Sequence, residues 1–195
     1  MRFHTGLRAF TTRSTGIVRE LINEIDVCEA YAPGTGRPAP VRCRYKAVWD
    51  TGATGTLISQ KIAQELNLQP SGRENVIAVG PGGQSNTYET NTYLVNIYLP
   101  NEVGIVGVRV GEGEIAGGDV LLGMDIIAFG DFTITNYNGQ TWWSFRTPPN
   151  EGIDFVEEIN EYYKRPGMRM ASLSPEERQR QRNRDKKGRQ KHRRK

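Results

Sequence analysis

Asp50-Thr51-Gly52-Ala53-Thr54 is the segment of this 195-residue chain whose residue types and spacing best suit chemistry. A carboxylate at a strand end, followed by a small hydroxyl residue and a glycine, suits a tight loop that presents the acid into a cleft. Thr51 offers a hydroxyl able to satisfy backbone groups in such a loop. Gly52 allows close backbone approach and unusual dihedrals. Taken alone, Asp-Thr-Gly is also a common surface turn. Its flanks argue otherwise: Ala47-Val48-Trp49 leads into the acid and Thr56-Leu57-Ile58 continues apolar after it, where a surface turn would carry polar neighbours.

Two carboxyls within about 3 Å cannot both ionise cheaply, so one keeps a proton and their titrations are coupled. The ionised member can take a proton from water while the protonated member donates to a carbonyl oxygen, which is the chemistry amide hydrolysis needs. The chain has one Asp-Thr-Gly, so the second carboxyl must come from another copy across a two-fold axis. No metal or organic cofactor is required. Cys28 and Cys43 lie in no metal-like spacing and His4 and His192 stand near the two ends, so no metal site is expected.

The positioning elements read as mainly β. Alternation at Leu21, Ile25 and Val27 predicts a strand, with a helix left open; Ala32 to Pro40 is loop by composition. Tyr45 to Trp49 leads into the acid, and Ser59 is placed to cap one short internal helix through Ile62, Ala63 and Leu66. Strands follow at Val76–Val79 and Thr87–Leu99, separated by the turn Gly80-Pro81-Gly82-Gly83, and at Val106, Val108 and Val110. Val120-Leu121-Leu122-Gly123 lacks polar alternation, as expected of a strand buried on both faces. Asn138-Gly139 marks a hairpin between Phe132–Asn136 and Thr141–Phe145. Asp154 to Tyr163 reads as an amphipathic helix with an Asp154…Glu157 capping pattern.

That ordered set, over roughly residues 20–148, resembles the retropepsin family of aspartic proteases, and its bacterial branch through Leu121-Leu122-Gly123-Met124-Asp125 and the Asp131-Phe132 to Phe145-Arg146 hairpin. The resemblance implies a retropepsin-like half-barrel, a homodimer and a peptide or protein substrate. Asp50 matches the catalytic aspartate, Thr51 the threonine that bonds to its mate in the partner chain, and Gly52 a substrate-backbone contact. Ala53 and Thr54 would also line the substrate site. Pro81, Gly82 and Gly83 would form the tip of a flap, although an ordinary β-turn also fits these residues. Leu121, Leu122 and Gly123 match the strand that braces the catalytic loop. Thr54 and Met124 depart from the Asp and Arg of many retroviral enzymes, which bears on substrate contacts and on an intersubunit ion pair. Asp125 reads as structural. Ala53 stands where a serine hydroxyl could lower the acid's pKa, so activity is expected to extend toward neutral pH.

Charge divides the chain. Residues 176–195 hold 11 Lys/Arg against 3 Asp/Glu, a net +8, leaving 15 basic and 19 acidic residues, a net −4, in residues 1–175. Such a tail suits contact with nucleic-acid phosphates or an anionic membrane surface, or is only a solvated tail; without aromatic residues it is not built for base stacking. The alternative to a protease is accordingly a catalytically idle dimerisation or peptide-binding module whose tail holds nucleic acid. No apolar run approaches the roughly 20 residues of a membrane span. With no secretory h-region and thiols expected to be reduced, a cytoplasmic protein is expected. Residues 1–16 read as a flexible basic terminus with some transit-peptide character, 17–150 as the protease domain, 151–168 as a C-terminal helix and 169–195 as a disordered basic tail.

Overall fold

The structure, a computed structural model, describes residues 2–3, 6–32, 34–79, 83–164, 174–177, 179–180 and 182–183, with only the backbone for 2, 3 and 79. The chain divides into a unit Met1–Glu151 and a unit Gly152–Lys195.

The first unit is mainly β. Its strands are β1 Arg2–Phe3, β2 Arg8–Arg13, β3 Leu21–Glu29, β4 Cys43–Trp49, β5 Leu57–Ile58, β6 Gly72–Val79, β7 Ser85–Leu99, β8 Val103–Glu112, β9 Val120–Leu122, β10 Asp131–Tyr137 and β11 Gln140–Thr147. Two short helices interrupt them, α1 Gln60–Glu65 and α2 Met124–Ile127. One internal helix was expected; α2 is a single turn, too short to announce itself by periodicity. The larger sheet runs β1-β8-β5-β9-β4-β3-β7-β6, and a further β7–β8 pairing closes six of its strands into a ring. Val27, Ile58, Val95, Ile97, Ile105, Val108, Val120 and Leu122 fill that ring and are fully buried. The β-branched residues dominate because they pack well on a pleated surface. β9 lies parallel to β4, with Leu122 opposite Trp49.

The smaller sheet runs β10-β11-β2. Asn138 (φ 50°) and Gly139 (φ 73°) turn its hairpin, as their left-handed tolerance predicts. The frayed terminus expected at 1–16 is corrected: Arg8–Arg13 pairs along Trp142–Thr147, with Phe10 buried against Trp49 and Phe145. Three arginines masked a strand whose decisive signal was the single inward Phe10.

Asn23 ties the sheets together. It lies on the inward face of β3, where its Oδ1 accepts from the indole N–H groups of Trp49 (2.8 Å) and Trp143 (2.9 Å), and its amide donates to Thr12 Oγ1. Asn23→Ala would leave two buried donors without this acceptor, each costing about 1–3 kcal/mol. We expect a loss of about 2–4 kcal/mol, seen as a lower denaturant midpoint at unchanged m-value.

Cys28 is buried and Cys43 half-buried, and both are free thiols. Burial raises the Cys28 pKa, so it stays a protonated, apolar packing group.

In the second unit, α3 Phe155–Lys164 begins at Asp154, whose carboxylate accepts from the amides of Val156 (2.8 Å) and Glu157 (3.1 Å). The disordered basic tail expected at 169–195 lies mostly outside the described residues. Ser174 and Glu177 form a reciprocal capping box, and residues 175–177, 179–180 and 182–183 are helical. The charge run hid this start signal: Ser, then Pro at the first helical position, then Glu three residues after the Ser. No helix among the described residues is long and apolar enough to cross a membrane.

Candidate active site

Asp50 sits where β4 ends, and it is held from behind by β9. Its backbone N–H donates to the Leu122 carbonyl at 3.0 Å, and the loop then turns with Ala53 N bonded to the Asp50 carbonyl. The carboxyl is half-buried, and its Oδ1 accepts from the Gly52 amide at 2.8 Å. A side chain at position 52 would put a carbon 3.1 Å from that oxygen, so glycine lets the loop fold onto its own carboxylate. Gly52 does this without a left-handed backbone, contrary to the unusual dihedrals its type allows.

Thr51 is exposed and makes no hydrogen bond among the described residues, so its hydroxyl does not satisfy the loop of its own chain. Thr56 does. Its buried Oγ1 donates to Asp125 Oδ1 (2.7 Å) and accepts from the Gly123 amide (3.1 Å), while its own amide donates to Asp125 Oδ2 (3.1 Å). The return contacts run from Met124 N to the Ala53 carbonyl (2.8 Å) and from Asp125 N to the Thr54 carbonyl (3.3 Å). α2 and its cap Gly123 thereby grip the Asp50 loop through five hydrogen bonds. Thr56 was missed by sequence reasoning because nothing in a Thr-Leu-Ile run announces a partner at position 125. Thr56→Val keeps the shape but removes the charge-assisted bond and strands the Gly123 donor. A loss of about 2–3 kcal/mol is expected, readable in the denaturant midpoint.

Leu122 and Gly123 stand behind the loop, Leu122 through its carbonyl and Gly123 against Gly55. Gly123 is the tightest point, since a carbon built on it would lie 2.5 Å from the Gly55 carbonyl oxygen. In front of the loop lies a groove of about 440 Å³. Gly52, Ala53, Thr54, Gly55 and Leu57 form one wall, and residues 74–77 of β6 the other. β6 and β7 make a long hairpin running from Gly72 opposite Thr92 to Val79 opposite Ser85, which puts residues 74–77 across the groove from residues 52–55. Of the tip residues, Gly83 has φ 80° and open space about it; Pro81 and Gly82 lie outside the described residues.

The family model for gag-polyprotein putative aspartyl proteases matches residues 42–128, from the approach to Asp50 through α2. Over that span the chain resembles the retropepsin-like aspartyl proteases. Among solved structures, a retropepsin-like aspartic protease from Rickettsia conorii is similar at 11% identity and a TM-score of 0.42, over 75% of this chain and 97% of that one. The EIAV protease complexed with the inhibitor HBY-793 is similar at 17% identity and a TM-score of 0.38, over 59% of this chain and 91% of that one. These are distant likenesses. No curated protein matches the chain. The family match covers the retropepsin-like loop, hairpin and α2, and stops short of β10, β11 and the second unit.

Proposed function

We propose that the chain is an aspartic endopeptidase that acts as a homodimer, with Asp50 of each copy forming the catalytic pair. The observation that carries this reading is the half-buried Asp50 on a loop whose next residues, from Gly52 to Gly55, line a groove walled on its other side by β6. Placed across a two-fold axis, two such carboxyls share one proton. The ionised one draws a proton from a water as it attacks the scissile carbonyl carbon. The protonated one donates to the carbonyl oxygen as it gains charge, and collapse of the tetrahedral species returns a proton to the leaving amine. The exposed Thr51 is then free to meet its mate from the partner chain. An extended peptide lying between the loop and β6 would be held by backbone hydrogen bonds.

Cleavage of an unstructured polypeptide, followed by mass spectrometry of the fragments, tests this reading. Specific activity should rise with chain concentration, as pairing requires. A peptide carrying a hydroxyl-bearing tetrahedral carbon at the scissile position should inhibit more tightly than the matching substrate binds. Activity should persist toward neutral pH, since Ala53 puts no hydroxyl beside the pair. A profile confined below about pH 4 would count against that part.

The tail favours a second reading, a module whose nucleic-acid contact lies in residues 176–195. The +8 net charge of that segment comes with no apolar side chain after Leu173 other than Pro175. Such a segment has charge for phosphates and no apolar face for a bilayer. RNA affinity that falls steeply with salt, and disappears when 176–195 is deleted, is the expected result.

A further inference from the structure

We infer that Glu74 selects a substrate with a lysine or arginine side chain, which it receives in the groove lined by residues 52–55 of the Asp50 loop. The inference rests on the proposed peptidase reading for its site and deepens it by naming a substrate class. Glu74 lies on β6 and lines the groove with Leu57 and Val76. Its side chain crosses toward β8: a carbon built on Gly111 would fall 2.4 Å from Glu74 Oε1 and 2.9 Å from Leu57 Cδ2. Gly111 therefore leaves the space in which the carboxylate sits, and Leu57 packs beside it. Glu74 is half-buried, yet its carboxylate makes no hydrogen bond or ion pair among the described residues.

The neighbouring cations are engaged elsewhere. Arg73 pairs with Glu89 at 2.8 Å, and the Arg109 guanidinium donates to the Arg73 carbonyl. No Lys or Arg lines the groove, and Asn75 is its other polar side chain of any length. A half-buried carboxylate without a partner is an open demand for a cation. The remaining lining narrows the choice further. Leu57 and Val76, the latter on the same face of β6 as Glu74, offer aliphatic surface beside the acid. Lysine and arginine match this pattern along their length, with methylenes on the apolar wall and a charged head at the end. A small metal ion does not, because one carboxylate supplies too few oxygens to hold it.

The test uses the full chain carrying Asp50→Asn, so that peptides bind without being consumed. Apolar octapeptides carrying Lys, norleucine or Glu at one position at a time are titrated against it. At one position Lys should bind about 10- to 100-fold more tightly than norleucine, the range a charge-assisted hydrogen bond supports, and Glu more weakly than either. Adding Glu74→Gln should collapse the Lys advantage, and Glu74→Lys should transfer it to the Glu peptide. Equal binding of the Lys and norleucine peptides at every position, or no binding of any of them, overturns the assignment. So does a Lys advantage that survives Glu74→Gln. Cleavage by the wild-type chain distinguishes the two levels. Cleavage without charge preference leaves the peptidase reading standing and removes Glu74. A Glu74-dependent Lys preference in a chain that cuts nothing keeps the binding site and removes the reaction.

Discussion

Asp50→Asn is expected to abolish peptide cleavage, lowering kcat/KM by about 10³- to 10⁴-fold, while leaving the fold intact. The size follows from the role. An amide cannot take a proton from water or hold one for donation to the carbonyl oxygen, and general acid–base catalysis is worth about 10²–10⁴ for a single positioned group. Here one substitution removes both, since each copy contributes the same residue. The fold should survive because, among the described residues, Asp50 makes one side-chain hydrogen bond, from the Gly52 amide, and an asparagine oxygen can accept it equally well. Activity assays and a thermal melt on the same preparation check the two halves. Retained cleavage ends the aspartic mechanism, and a collapsed melt would mean that the lost activity says nothing about catalysis.

Gly123→Ala is expected to damage both stability and activity, although it adds only one methyl group. That methyl would lie 2.5 Å from the Gly55 carbonyl oxygen and 2.6 Å from its carbon. Both are backbone atoms and cannot rotate away. Overpacking typically costs about 1–3 kcal/mol, and this site belongs at or above the top of that range. The chain would relieve the clash by separating α2 from the catalytic loop, stretching the bonds from Met124 to Ala53 and from Asp125 to Thr54. A displacement of about 1 Å at a reacting group can cost about 100-fold in rate, so kcat should fall along with the melting temperature. Gly55→Ala is the control for stability. Nothing lies within 4 Å of a carbon built there and its φ is not left-handed, so its melt should hardly move. Equal melts for the two variants would contradict the close packing that defines the loop.

The legibility of this chain depended on whether a residue's job was local. The turn at Asp50-Thr51-Gly52 could be read because the Gly52 amide bonds to the Asp50 carboxylate within three residues, and Asn138-Gly139 because a tight hairpin needs two left-handed positions in sequence. The placement of Leu121, Leu122 and Gly123 came only from the resemblance, since a short apolar run does not say which loop it lies against. Thr56 and Asp125 could not be paired in advance, because their bond spans 69 residues and both belong to types common on surfaces. Asn23 shows the same limit, as a polar residue on an apolar face whose purpose appears only once Trp49 and Trp143 arrive from two other strands. At the ends, charge outweighed subtler signals. Arginines obscured the strand Arg8–Arg13, and the basic run obscured the cap formed by Ser174 and Glu177.

The most direct measurement mixes wild-type and Asp50→Asn chains at fixed total concentration, allows them to re-pair, and follows cleavage as the wild-type fraction falls. If each active unit needs one carboxyl from either copy, activity follows the square of that fraction, with about a quarter remaining in an equal mixture. A straight-line fall, leaving about half at the same point, would show that each copy works with its own Asp50 alone and would contradict the shared pair.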